Sequence, residues 1–339
     1  MVVMQANMIK KGRHSWKAAC FGGLPVLCVL CLFPFMVDSE ESYLVYFLFL
    51  TFIYVSMAQG WNLVAGYAGQ ASLGQHAFFG LGAYITAIAW KAGWIGYMDP
   101  FGMLMSGAGA ALLAIIIGIP LLAKLRGDYF ALGTLGLGEI MRVIFTQGGS
   151  LTGGPVGLML PSSQYQSMMP YYFISLTIAV FTLLCMTLLI KSRIGLAFVA
   201  IREDEEAAGA NGIHVLKFKI TAFSVGAFFT GLCGSLFAYY SFHIHPSGVF
   251  SLSWALMPVL MTIFGGIGTL MGPVVGAFIL ASVFELANIW LPEIHPLFSG
   301  AFIVLVMLFL PQGVMSLGKK DGAVNLLKGM VPFNRTSSE

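Results

Sequence analysis

The chain has 339 residues, of which 58% are apolar, 14% aromatic and only 9% charged, with a formal net charge of +3. A water-soluble chain carries roughly 25% charged residues and could not cover its surface with so few; the mean hydropathy of +0.87 agrees. Two soluble domains, a disordered chain, a disulfide scaffold and a nucleic-acid-binding surface are thereby excluded. What remains is an all-α, polytopic integral membrane protein solvated by lipid.

A helix needs about 20 mainly apolar residues to cross a hydrocarbon core roughly 30 Å thick. In chain order such runs occupy 18–37, 43–64, 77–90, 103–123, 129–145, 171–190, 218–240, 254–264, 272–291 and 297–310. They predict about 8–10 transmembrane helices with broken or re-entrant segments, 254–264 being too short to cross unaided. If the N-terminus is inside and the runs alternate, 15 of 17 basic residues fall on the inner side, Lys91 and Arg142 excepted. By the positive-inside rule both termini are cytoplasmic. Residues 1–17 then form a cytoplasmic N-terminus, 18–317 the transmembrane domain and 318–339 a cytoplasmic tail, with 192–217 a long inside loop.

The first run follows a basic start, as in a signal peptide. Its length and the poor cleavage context Met36-Val37-Asp38 read instead as a retained helix. Cys28 and Cys31 form a C-x-x-C inside that run, with no partnered His or second pair, so packing is expected rather than redox or zinc chemistry.

Transporters hold polar cargo where helices are interrupted, and interrupted backbone is tolerated in a membrane only where it lines a cavity or is buried in protein. Three stretches fit. The first, 62–76, carries Asn62, Gly66, Gly69, Gln70, Ser72 and Gly74; the second, 151–157, carries Thr152, Gly153 and Gly154; the third, 264–273, carries Gly265, Gly266 and Gly268. Each reads either as close helix packing through small residues or as a broken helix lining a substrate pathway. Glu139 and Arg142 share one face of a span, as a structural ion pair or as a contact to cargo. His243 and His245 have no neighbours that complete a metal site, so no metal is expected.

The inside loop reads Ala200-Ile-Arg202-Glu203-Asp204-Glu205-Glu206-Ala207-Ala208-Gly-Ala-Asn-Gly212. Acidic residues crowd the start of a short helix, where they complement its dipole, and Gly212 is placed to end it. Gly313-Val-Met-Ser-Leu-Gly318-Lys319-Lys320 comes within one residue of a phosphate-binding G-x-x-x-x-G-K-[ST]. Lys320 stands where the magnesium-binding hydroxyl belongs, and the motif follows a span rather than a strand. No cofactor is therefore expected in this chain.

Four blocks carry a family resemblance: N-L-x-x-G-Y-A-G-Q-x-S-L-G from Asn62, L-R-G-D-Y-F-A-L-x-T-L-G with L-T-G-G-P between Leu125 and Pro155, A-I-R-E-D-E-x-A-A-x-x-x-G-I from Ala200, and G-G-I-G-T-L-x-G-P-V-x-G-A from Gly265. In this order they resemble the LivM-type permease subunit of branched-chain amino acid ABC importers. Gln75 intervenes before His76, where the family often has His directly after S-L-G, and Val156 replaces an amide residue after T-G-G-P. Both departures bear on cargo more than on family. The resemblance implies a second homologous permease subunit, two ABC ATPase subunits holding ATP and Mg, a periplasmic substrate-binding protein and the bacterial inner membrane. It implies that Arg202, Glu203, Asp204, Glu206, Ala207, Ala208 and Gly212, within the E-A-A-x-x-x-G loop, dock on an ATPase. Leucine, isoleucine or valine is the implied cargo, with urea, short amides or aromatic acids as alternatives. An ion-coupled carrier would need an embedded acidic pair, and Glu139 is the one central acid.

Overall fold

A computed structural model describes residues 25, 27–36, 43–162, 165, 167–290, 300 and 313–316. Both tails, nearly all of 297–310 and part of 18–37 lie outside these residues, so the expectations placed there are not addressed by the fold.

Among the described residues, helix α1 (Leu27–Met36) is followed by α2 (Tyr43–Asn62), which runs on into a π-helical turn, Leu63–Tyr67. Then come α3 (Gln75–Lys91), α4 (Pro100–Lys124), α5 (Asp128–Gln147), α6 (Gly149–Thr152), α7 (Met169–Lys191), α8 (Arg193–Glu203), α9 (Glu205–Ala210) and α10 (Val215–Ser241). Helices α11 (Pro246–Val249), α12 (Ser253–Gly265) and α13 (Gly272–Trp290) complete the set, with a short 3-10 turn, Val314–Ser316. Strands β1 (Leu158–Met159) and β2 (His243–Ile244) form a two-stranded antiparallel ribbon.

Seven helical stretches among the described residues are long and apolar enough to cross a membrane. The protein is thus a multi-pass, all-α membrane protein. Residues 254–264 gain the missing length from α11, which extends the run to Pro246–Gly265. The 17-residue α3 is mostly buried inside the bundle, with Phe79, Ala83, Tyr84 and Ala87 inaccessible. The loop at 192–217 departs from the expected lone stub of helix. Ser192 caps α8 through Ile194 N, and burial of Phe198 and Ile201 against the body holds this additional helix.

Helix α10 is the hub, lying along α3 and α4; α2 lies along α7, and α12 and α13 pack together against α2. Lipid tails are as apolar as leucine, so close backbone approach and interhelical hydrogen bonds must hold such a bundle. A β-carbon at Gly82 would overlap the Gly231 carbonyl, and one at Gly234 would overlap that of Phe79, so α3 and α10 touch backbone to backbone. Beside this seam the buried Thr86 hydroxyl meets Ser106 Oγ at 2.7 Å and Ser235 Oγ at 2.5 Å, joining α3, α4 and α10.

Candidate functional site

Two of the three glycine-rich stretches meet. Where α2 passes into its π turn, fully buried Asn62 donates from Nδ2 to the Thr269 carbonyl at 2.8 Å and accepts on Oδ1 from Gly268 N at 2.8 Å. One turn earlier Gln59 Nε2 donates to the Leu270 carbonyl at 2.6 Å. These side chains supply partners to non-helical backbone that neither α12 nor α13 can satisfy, as a non-aqueous interior requires. A β-carbon at Gly66 would lie 2.6 Å from Gly268 N, so the first and third breaks are in direct contact. Gly268, at φ +72, and Gly266, at φ +126, make the turn, and Gly265 packs on Gly272. After the π turn, Trp61 Nε1 donates to the Ser72 carbonyl at 2.6 Å, Ser72 Oγ accepts from Gly74 N at 3.2 Å, and Gly74 packs on Thr134.

The inside loop is clamped onto this junction. Arg202 Nη1 donates to the Gly66 carbonyl at 2.8 Å, supplying a donor where the helix ends; its other nitrogen pairs with Glu203 at 2.8 Å. The Arg202 backbone also packs against Gly69. Glu205 forms an ion pair with Lys219, whose side chain is only 1% exposed, and accepts from Gln70 Nε2 at 2.9 Å. The acidic cluster does stand at a helix start, and there Asp204 caps α9, accepting from Glu206 N at 2.9 Å and Ala207 N at 3.0 Å. At the other end Gly212, at φ +83, lets Ile213 N reach the Ala208 carbonyl at 3.1 Å. Ala208 is buried, whereas Glu203, Asp204, Glu206, Ala207 and Gly212 are exposed, so α9 grips the bundle with one face and presents the other outward. Among the described residues the Glu206 carboxylate reaches Arg126 alone, at 3.7 Å, with 86% of its side chain accessible.

The second stretch does not join the others. It follows α5, whose 20 residues span about 30 Å, and so lies at the far end of that helix from Arg126 and α9. Thr152 Oγ1 donates to the Phe145 carbonyl at 2.7 Å and accepts from Gly154 N at 3.3 Å. Gly153 and Gly154 hold φ of +73 and +57 in the turn that leads to β1. A cavity of about 330 Å³ opens here, lined by Arg142, Val143, Thr146 and Gln147 of α5 with Pro155, Pro246 and Ser247. On the same helix Arg142 and Glu139 form an ion pair at 2.5 Å. The two histidines serve the fold: His243 Nε2 pairs with the Val156 carbonyl at 2.9 Å, and His245 Nδ1 caps α11 by accepting from Gly248 N at 3.1 Å.

Sequence reasoning passed over Glu205 and Lys219. In the sequence Glu205 is one of four consecutive acids and Lys219 one of several basic residues at a helix start. Only the tertiary fold distinguishes this pair of a buried lysine and a half-buried glutamate.

A family model described as the branched-chain amino acid transport system permease component matches residues 43–310. The chain is 29% identical to the high-affinity branched-chain amino acid transport system permease protein LivM of Escherichia coli K12, over 88% of this chain and 77% of that protein. It is 25% identical to the probable branched-chain amino acid transport permease protein LivM of Methanocaldococcus jannaschii, over 70% of this chain and 77% of the relative. Similarity also extends to the LivH permease of the E. coli system, at 29% identity over 39% of this chain and 43% of that one. No solved structure matches.

Proposed function

Because the chain belongs to the permease family of branched-chain amino acid transport systems, as a transport subunit of LivM type, we propose that it forms half of the translocation route of an ATP-driven importer. It works in the bacterial inner membrane beside a second, LivH-like permease. Two cytoplasmic ABC ATPases hold ATP and Mg, and a periplasmic binding protein delivers leucine, isoleucine or valine. Residues 18–317 are the permeating domain, with 1–17 and 318–339 on the cytoplasmic side.

The observation that carries this reading is the two-faced α9. With its flanks, its outer side offers Glu203, Glu206 and Gly212 to an ATPase, while Arg202 of α8 and Glu205, paired with Lys219 of α10, tie it to the junction of the first and third breaks. A rigid capped helix carries displacement across an interface better than a loose connector, and here it ends on non-helical backbone, the part of a bundle most able to change shape. ATPase closure moves α8–α9, the Gly66–Gly268 contact shifts, and the spans exchange an outward-open for an inward-open arrangement. The first and third breaks border the inner end of the pathway and the second its outer end.

The test is uptake by the assembled transporter in proteoliposomes. Glu206→Ala and Gly212→Val leave insertion and basal ATP hydrolysis in place and lower leucine uptake at least tenfold. A cysteine at Gly209 crosslinks to an ATPase subunit. Normal uptake by both variants, or uptake by the isolated polypeptide without ATP, overturns the reading.

A further inference from the structure

Glu139 and Arg142 are the twelfth and fifteenth residues of the 20-residue α5, near the middle of a membrane-crossing helix. Their side chains remain 47% and 46% exposed, beside exposed Ile140, Val143 and Ile144. A half-open ion pair at that depth is costly against lipid, which favours a setting turned to water or to a partner protein. Nor is the pair needed to hold α5 in place: both partners belong to one helix, bonded Nε to Oε2 at 2.9 Å, and among the described residues they bridge no second element. Arg142 borders the cavity described above, which lies within the size range of small-molecule sites. Val143, Pro155 and Pro246 give that cavity an aliphatic wall, and Thr146, Gln147 and Ser247 a polar rim. Behind α5, at Gly138, a β-carbon would overlap the His76 ring, which is fully buried and makes no well-formed hydrogen bond through either nitrogen.

We infer that Glu139 and Arg142, with the adjoining cavity, form a transit site for a zwitterionic α-amino acid bearing an aliphatic side chain. The inference rests on the transport reading above and adds the site at which cargo is met. A zwitterion carries one carboxylate and one ammonium a few ångströms apart. It can enter the pair without leaving a net charge unpaired: Arg142 takes the carboxylate in fork geometry and Glu139 takes the ammonium. The aliphatic side chain rests against Val143 and the two prolines. When cargo leaves, the pair closes on itself, so neither charge stands alone in the empty route. A cargo with only one of the two groups leaves Glu139 or Arg142 without a partner, and the site disfavours it.

The experiment uses the complete transporter in proteoliposomes at saturating loaded binding protein. It compares Glu139→Gln, Arg142→Gln and the double variant, reading uptake and binding-protein-stimulated ATP hydrolysis together. A pair that served only structure would be restored by removing both charges at once. A transit site would not be. The expected result is at least a tenfold fall in maximal leucine uptake for all three variants, with ATP hydrolysis within twofold of wild type. Wild-type uptake by the double variant, or by both singles, overturns the inference. A second measurement needs no change to the pair: Thr146→Cys, at the cavity rim, is alkylated at least threefold more slowly during turnover with leucine than with isopentylamine or 4-methylpentanoate. Equal rates overturn the inference. A wild-type complex that binds no ATPase, or imports without ATP, is a failure of the transport reading and is recognised before any variant is tested.

Discussion

Asn62 ties the two helix breaks together, and its removal can be worked through from the geometry. Asn62→Leu keeps the branching and heavy-atom count of the side chain but deletes the bond to the Thr269 carbonyl and the bond from Gly268 N, both 2.8 Å and shielded from solvent. Each buried group so orphaned costs about 1–3 kcal/mol in a soluble protein. Interhelical bonds in membranes average only about 0.6 kcal/mol, because the unfolded chain in the bilayer finds substitutes. The two affected groups belong to backbone between α12 and α13 and have no helical partner to fall back on, so the value lies between these limits. About 2 kcal/mol is expected, roughly a thirtyfold shift toward the unfolded state. Unfolding by sodium dodecyl sulfate in mixed micelles, followed by tryptophan fluorescence, measures it. A variant within about 0.5 kcal/mol of wild type would refute the argument that a side chain must satisfy interrupted backbone here.

Other expectations can be checked in the same format. Gly82→Leu forces α3 off α10, because even a β-carbon would overlap the Gly231 carbonyl; a loss of about 3 kcal/mol or failure to accumulate in the membrane is expected, and a normal melting profile would contradict the seam. Thr86→Val strands the Ser235 hydroxyl, while Ser106 keeps its bond to the Gly102 carbonyl, and costs about 1 kcal/mol by the same titration. Asp204→Ala removes the cap of α9 for about 1 kcal/mol, read as faster amide exchange at Glu206 and Ala207, whereas Asp204→Asn retains most of the protection. Lys219→Met leaves Glu205 without its buried counter-charge and destabilises the α8–α9 region more than Lys219→Met combined with Glu205→Gln, seen as protease sensitivity near Gly212.

The spans were legible because hydrophobic length is a one-dimensional property, and bilayer thickness fixes how much of it a helix needs. The start of α9 at the acidic cluster and its stop at Gly212 could be read for a similar reason: both are set within a few residues of chain. Glycine-rich stretches announced that something irregular would occur at Gly66, Gly154 and Gly268, but not which of them would touch. That pairing depends on Asn62 and Gln59 reaching residues about two hundred positions away, at Thr269 and Leu270. Helix α8 was hidden because its buried Phe198 and Ile201 sit among Arg193, Arg202 and Glu203, and charge dominates a reading by composition. Glu205 was hidden by its neighbours. Four acids in a row give no hint that one of them faces Lys219 while the next faces water.

The glycine seam between α3 and α10 has a bearing on how such a molecule can move. Sliding of one helix over another normally proceeds through small rotamer adjustments in the layer of side chains between them. Where main chains abut and three hydroxyls pin the neighbouring helix, that lubricating layer is missing. Helices α3, α4 and α10 therefore travel as one solid piece, a fulcrum. In the transport cycle proposed above, displacement then falls to the elements packed around that block, α5 and α12 among them.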